Sequence, residues 1–194
     1  MVPTMPFKEI FLKDIVFNQK VQEYCVSKSF TCPSYGKSWS CPPVAPYLEK
    51  KIKKYERFFL VYSAFEIKEY IKNEKLKHPT KSELRIKLEL YYQDLTSQKS
   101  KIMDGLEKEL NNFFKEHAPK FEKKLVLWAG TCRLCLIKLN KPCSYIDGEP
   151  CRFPKQIRYS MEAVGIEVLA TAFNSKVDLD LSNNEYRFAL VCLK

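Results

Sequence analysis

Hydrophobic positions along this chain switch between two spatial periods. Phe58 to Ile67 is rich in aromatic and β-favouring residues, which predicts a buried strand, and Leu125 to Trp128 predicts a second. From Ser82 to His117 the residues Leu84, Leu88, Tyr91, Leu95, Ile102, Leu106, Leu110 and Phe113 recur at mostly three- and four-residue steps. That is the stripe of one long helix or a helical hairpin. Ser82 is placed to cap it and Pro119 to end it, with Gly105 or the polar run Thr96 to Lys101 as break points. Tyr47 to Tyr55 reads as a short helix opened after Pro46, and Lys155 to Val164 as another stopped by Gly165. Ile166 to Phe173 and Tyr186 to Leu193 read as two further strands, joined by the polar turn around Asp178 to Asn184. The expectation is a single α/β domain over residues 1–194. It has a sheet of about four strands, a long helix or helical hairpin, and cysteine-rich loops at one end.

Composition changes this picture little. With 194 residues and 45% hydrophobic content the chain can bury one good core. Met1 to Val16 lacks an apolar signal region, and the longest apolar stretch, Phe58 to Phe65, is too short to cross a bilayer. These features predict a cytoplasmic protein with no membrane partner. The 33 Lys and Arg against 23 Asp and Glu give a formal charge of +10, but most lysines, such as Lys50, Lys51, Lys72 and Lys75, are interleaved with glutamates as on a solvated surface. No nucleic-acid module is recognisable, which argues against a nucleic-acid partner.

Cysteine usage is the informative feature. Seven of eight fall into two groups, Cys25, Cys32 and Cys41, then Cys132, Cys135, Cys143 and Cys151. In a reducing compartment such groups are metal ligands rather than disulfides. The second group has the spacing C-x2-C-x7-C-x7-C, with Gly130, Gly148, Pro150 and Pro154 shaping its loop. The first has spacings x6 and x8, and Cys32 and Cys41 each precede proline, a step common in iron–sulfur loops. With one close pair and neither His78 nor His117 near a cysteine group, the pattern favours iron–sulfur clusters, with zinc as the alternative.

The segments Cys32-Pro33-x-Tyr35-Gly36-x-x-Trp39-Ser40-Cys41-Pro42-Pro43, Cys132-Arg133-Leu134-Cys135, Pro150-Cys151-Arg152-x-Pro154 and Ser160-Met161-Glu162-Ala163-x-Gly165-Ile166 together resemble a domain-of-unknown-function family of predicted metal-binding proteins from anaerobic bacteria and archaea. The resemblance covers nearly the whole chain and implies metal binding, most simply iron–sulfur, without supplying a reaction. Leu136 to Pro142, ahead of Cys143, is a longer insertion than the resemblance leads one to expect.

Cys192, between Val191 and Leu193, decides the stoichiometry. As a core residue it leaves three thiols in the first group and one iron open to a ligand; as an eighth ligand it closes both clusters. Arg133, Arg152 and Arg158 are candidates to tune a cluster or hold an anion, Tyr35 and Trp39 to shield one, and Glu162 reads as a helix-start residue without a chemical role. No glycine-rich phosphate loop, radical-type C-x3-C-x2-C motif or Ser/His/Asp constellation is present. The leading expectation is a carrier of two 4Fe-4S clusters that exchanges electrons with a redox partner such as a ferredoxin or oxidoreductase. The alternatives are an enzyme with an open-site cluster, for instance in sulfur or methyl-group metabolism, and a zinc-stabilised binding module with a basic surface.

Overall fold

The computed structural model describes residues 6–26, 31–97, 100–117 and 122–194. Four strands, β1 (Phe7–Ile10), β2 (Arg57–Phe65), β3 (Lys124–Leu127) and β4 (Glu185–Leu193), form one antiparallel sheet in the order β1-β2-β4-β3. The two long strands lie at the centre and the short ones at the edges. Their side chains alternate: Phe58, Leu60, Leu190 and Cys192 enter one core, while Phe59, Val61, Val191 and Leu193 enter the other. A sheet covered on both faces has no solvated side, and this is why β2 and β4 read as nearly continuous apolar runs.

One face is covered by α4 (Met103–His117), which buries Leu106, Leu110 and Phe113 at three- and four-residue spacing. The other is covered by the chain around Ile10 and Ile15, by α1 (Glu49–Ile52) and by the segment from Met161 to Val177 containing α6 (Val168–Asn174). Two further helices, α2 (Ile67–Lys77) and α3 (Glu83–Thr96), pack against one another through Ile67, Ile71, Ile86, Leu90 and Ile102. The Ser82 hydroxyl caps α3 by accepting from Arg85 N at 3.2 Å. The long periodic segment is therefore two helices, α3 packed on α2 and α4 on the sheet, with the break after Thr96, and Gly105 lies inside α4 against Ser63. Pro119 lies outside the described residues.

The mixed α/β architecture and four-stranded sheet match expectation, with three local differences. Ile166 to Phe173 is not a strand: Val168–Asn174 is helical, because Thr171 and Ala172 turn inward while Leu169 and Phe173 face outward, a helical alternation that outweighs the β-branched content. The fourth strand is instead Phe7–Ile10, too short to announce itself by pattern. Lys155 to Val164 does not form one helix; it makes two short 3-10 turns, Pro154–Gln156 and Glu162–Val164, with Gly165 left-handed at φ +87° as the stop. On α3 the buried line is Ile86, Leu90 and Asp94, displaced from the anticipated Leu84 and Leu88, both of which are exposed. Among the described residues no helix is long and apolar enough to cross a membrane. Surface lysines pair with glutamates, as in Lys53–Glu49, Lys75–Glu83 and Lys81–Glu89.

Candidate metal centre

β3 runs antiparallel to β4, so the chain leaves Leu127 opposite Leu190, heading toward the start of β4. Trp128 N donates to Tyr159 O at 2.6 Å and Met161 N donates to Trp128 O at 3.2 Å. These bonds close residues 129–159 into a loop anchored at both ends on the sheet. Within it Gly130 is left-handed at φ +61°, and the short helix α5 (Leu134–Leu139) carries Cys135 and ends at left-handed Asn140. Lys141 N then returns to Cys135 O at 3.3 Å, Ile146 N to Cys143 O at 3.1 Å, and the Ser144 hydroxyl donates to Pro150 O at 2.9 Å.

The result brings Cys132, Cys135, Cys143 and Cys151 around one small cavity, together with Trp39, Ser40, Leu134, Phe153 and Ile157. Burial raises the Cys151 thiol, a backbone N–H at Phe153 lowers it, and Cys132, Cys143 and Cys135 all act on it electrostatically. The insertion before Cys143 is absorbed by α5 and does not take Cys143 out of the group. Trp39 packs edge-on against Tyr145 at 5.0 Å, and its Nε1 donates to Glu149 O at 3.1 Å, fastening the first cysteine segment over the second.

The first group is built by a different route. A 3-10 stretch, Gln19–Cys25, is held by the Gln22 amide, which donates to Ala45 O at 2.9 Å and Ala163 O at 2.8 Å. Cys32 N donates to Cys25 O at 2.8 Å, and Gly36, at φ +63°, donates to Pro42 O at 2.9 Å. Their thiols hydrogen-bond, so Cys32 is pulled down by the Cys25 thiol and by the N–H groups of Ser34 and Tyr35, while Cys25 is pushed up by the same bond and by burial. The Tyr91 hydroxyl stands 3.7 Å from Cys32 Sγ. Cys41 is buried, which raises its thiol against the opposing effect of the Thr131 hydroxyl 3.3 Å away and the Ser40 hydroxyl.

Cys25, Cys32 and Cys41 all line a second, much larger cavity of about 650 Å³. That is within the size range of small-molecule sites. Its walls include Tyr91, Asp94, Arg133, Glu162, Arg187 and the apolar residues Val21, Met103, Val168 and Phe188. Asp94 is 4% exposed; burial raises its carboxyl, with the Arg187 guanidinium at 3.7 Å pulling it back. Glu162 lines the cavity and is solvent-exposed; the surrounding protein raises its carboxyl against the backbone, the Ser160 hydroxyl and Arg187.

Cys192 stands apart from both groups. It pairs across the sheet with Phe58 and Leu125, is 0% exposed and belongs to the core with Ile10, Leu48 and Met161; burial pushes its thiol up to about 12. Arg187, on the cavity wall, is five residues away along β4, on the order of 17 Å at the strand rise. Of the three arginines, Arg133 lines the large cavity, whereas Arg152 is engaged by Asp147 and Pro142 O and Arg158 by Glu107 and the Trp128 ring. His117 packs among Phe7, Phe59 and Phe113, away from every cysteine, and His78 follows α2. None of the eight cysteines is in a disulfide. Among the described residues no three Cys, His, Asp or Glu side chains meet closely enough to enclose a bare ion.

Sequence reasoning missed Asp94, Tyr91 and Arg187 and gave Glu162 no chemical role. One signal was available for Asp94: it continues the four-residue series Ile86, Leu90, Asp94, an acid on a buried helical line. Arg187 carried no signal, being one of many basic residues. Four thiols about one cavity and three about another form a soft donor set suited to iron–sulfur or zinc. No curated protein and no solved structure matches the chain. A family model for predicted metal-binding proteins, DUF2284, matches residues 8–193, and with nearly the whole chain covered this protein belongs to that metal-binding family.

Proposed function

We propose that the chain is a two-centre iron–sulfur protein in which Cys132, Cys135, Cys143 and Cys151 hold one cluster, Cys25, Cys32 and Cys41 hold a second, and a small molecule is bound at the second. One observation supports this reading above the simple carrier: the three thiols line a cavity of about 650 Å³ while the remaining cysteine, Cys192, is committed to the sheet core. Such clusters supply reducing electrons and, at an iron lacking a thiolate, a Lewis-acid position.

The chain's own residues provide the rest. Tyr91 and Thr131 bring hydroxyls to the sulfurs of Cys32 and Cys41, which favours the thiolate forms that metal binding needs. Val21, Met103, Val168 and Phe188 keep the cavity apolar, and Asp94, Glu162 and Arg187 give a ligand polar contacts that fix its orientation. Cys132 N donates to Ser40 Oγ, beside Cys41, so the two groups share one stretch of structure, an arrangement suited to passing electrons inward from a redox partner such as a ferredoxin or oxidoreductase. Zinc in the four-thiol group is the competing occupant, since four thiolates also complete a tetrahedral structural site.

The test is anaerobic purification, followed by iron, acid-labile sulfide and zinc analysis per chain and a visible spectrum. About eight irons with matching sulfide are expected for two cubanes. Stoichiometric zinc with neither iron nor colour overturns the reading.

A further inference from the structure

The large cavity combines exposed apolar residues with acidic ones. Tyr24, Leu169 and Leu181 line it while remaining 60%, 48% and 47% exposed. The same wall carries the buried Asp94 and the more open Glu162 and Glu185, together with two guanidiniums, Arg133 and Arg187. Arg187 is already shared between Asp94 Oδ2 at 3.7 Å and Glu185 Oε2 at 3.6 Å. Asp94 Oδ1, in a residue almost wholly buried, has no hydrogen-bond partner among the described residues. A buried acceptor left in that state is unfavourable, so Asp94 Oδ1 is short of a donor.

We propose that this cavity binds a small organic cation, whose hydrogen-bond-donating head group reaches Asp94 and Glu162 and whose apolar body lies against Val168, Leu169 and Leu181. The inference rests on the reading of the cavity as the ligand site beside the three-thiol centre and names the class of ligand. An anion is disfavoured because the acids outnumber the arginines on the wall and Arg187 is held by two of them. A neutral donor satisfies Asp94 Oδ1 but gains less, since hydrogen bonds between ionised partners are about twice as strong as neutral ones.

Calorimetric titration of the anaerobically purified, metal-analysed protein tests this with three probes of similar length: butylguanidinium, 1-hexanol and hexanoate. Guanidinium keeps its charge across the usable pH range and offers donors only, so it reports on the acids rather than on a metal. Butylguanidinium should bind at least about tenfold more tightly than either other probe. Asp94→Asn and Glu162→Gln should each weaken it by about tenfold, with a smaller loss for 1-hexanol and metal content unchanged. Hexanoate binding as tightly as the guanidinium, selectivity surviving both substitutions, or no binding of butylguanidinium would overturn the inference. If the selectivity holds in protein that contains no iron, the cation site stands and the iron–sulfur reading fails; the reverse result separates them the other way.

Discussion

The backbone N–H of Cys132 donates to the Ser40 hydroxyl at 3.0 Å, tying the first residue of one cysteine group to the immediate neighbour of Cys41 in the other. Ser40 is 1% exposed and also lies 3.0 Å from the Ser38 hydroxyl. Ser40→Ala should therefore leave a partly buried N–H without this acceptor, costing about 1 kcal/mol, and should alter the spectra of both centres together. A denaturant melt beside the visible and paramagnetic spectra checks this; a change confined to one centre would refute the coupling.

Cys192 is predicted to be a packing residue. Cys192→Ala should leave metal and sulfide content per chain unchanged and cost about 1 kcal/mol, the scale of removing one methyl-sized group from a packed core. Loss of a quarter or more of the iron on this substitution would mean that the terminal strand contributes a ligand.

Gly165 holds the Glu162–Val164 turn that turns Glu162 into the cavity. Its φ of +87° is disfavoured for any side chain, and a Cβ there would lie 2.5 Å from the Tyr47 ring. Gly165→Ala should destabilise the fold by about 1–3 kcal/mol from backbone strain alone, with the ring displacement adding to it. An unchanged melting temperature would contradict this placement of Tyr47.

Stability should respond to pH through Asp94. Its carboxyl is raised by burial; Arg187, the N–H groups of Met103 and Ile102, and Arg133 oppose that rise. Glu185, bound to the same Arg187, adds a neighbouring negative charge. A raised acid destabilises the folded state as the unfolded chain begins to ionise, so the penalty is absent below about pH 4 and grows as pH rises to the folded value, then stays constant. Asp94→Asn removes that dependence, so its stability relative to the native chain should increase from acid toward neutral pH. Parallel denaturation series on the two proteins measure the difference, and a gap that narrows with rising pH would reverse the assignment.

What the sequence made legible was whatever repeated or clustered. β2 and β4 were readable because a strand buried on both faces is apolar over most of its length, and α4 because Leu106, Leu110 and Phe113 keep the helical step. The two cysteine groups were readable from spacing, and the structure gathers each about its own cavity. Val168–Asn174 was not, since its β-branched residues favour a strand and only tertiary packing of Thr171 and Ala172 makes it a helix. The cavity was least legible, because Tyr91, Glu162 and Arg187 come from three distant segments and line one space only once α3, the Glu162–Val164 turn and β4 are assembled.

The most direct test of the account is the Mössbauer spectrum of ⁵⁷Fe-enriched, anaerobically prepared protein before and after addition of cyanide. Two clusters with one iron lacking a thiolate should show a single iron environment changing on cyanide addition, out of about eight per chain, and Cys25→Ala or Cys32→Ala should abolish that response while leaving the other cluster's signal in place. Irons that all keep their environments, or a chain that carries zinc in place of iron, would contradict an open three-thiolate centre facing the cavity.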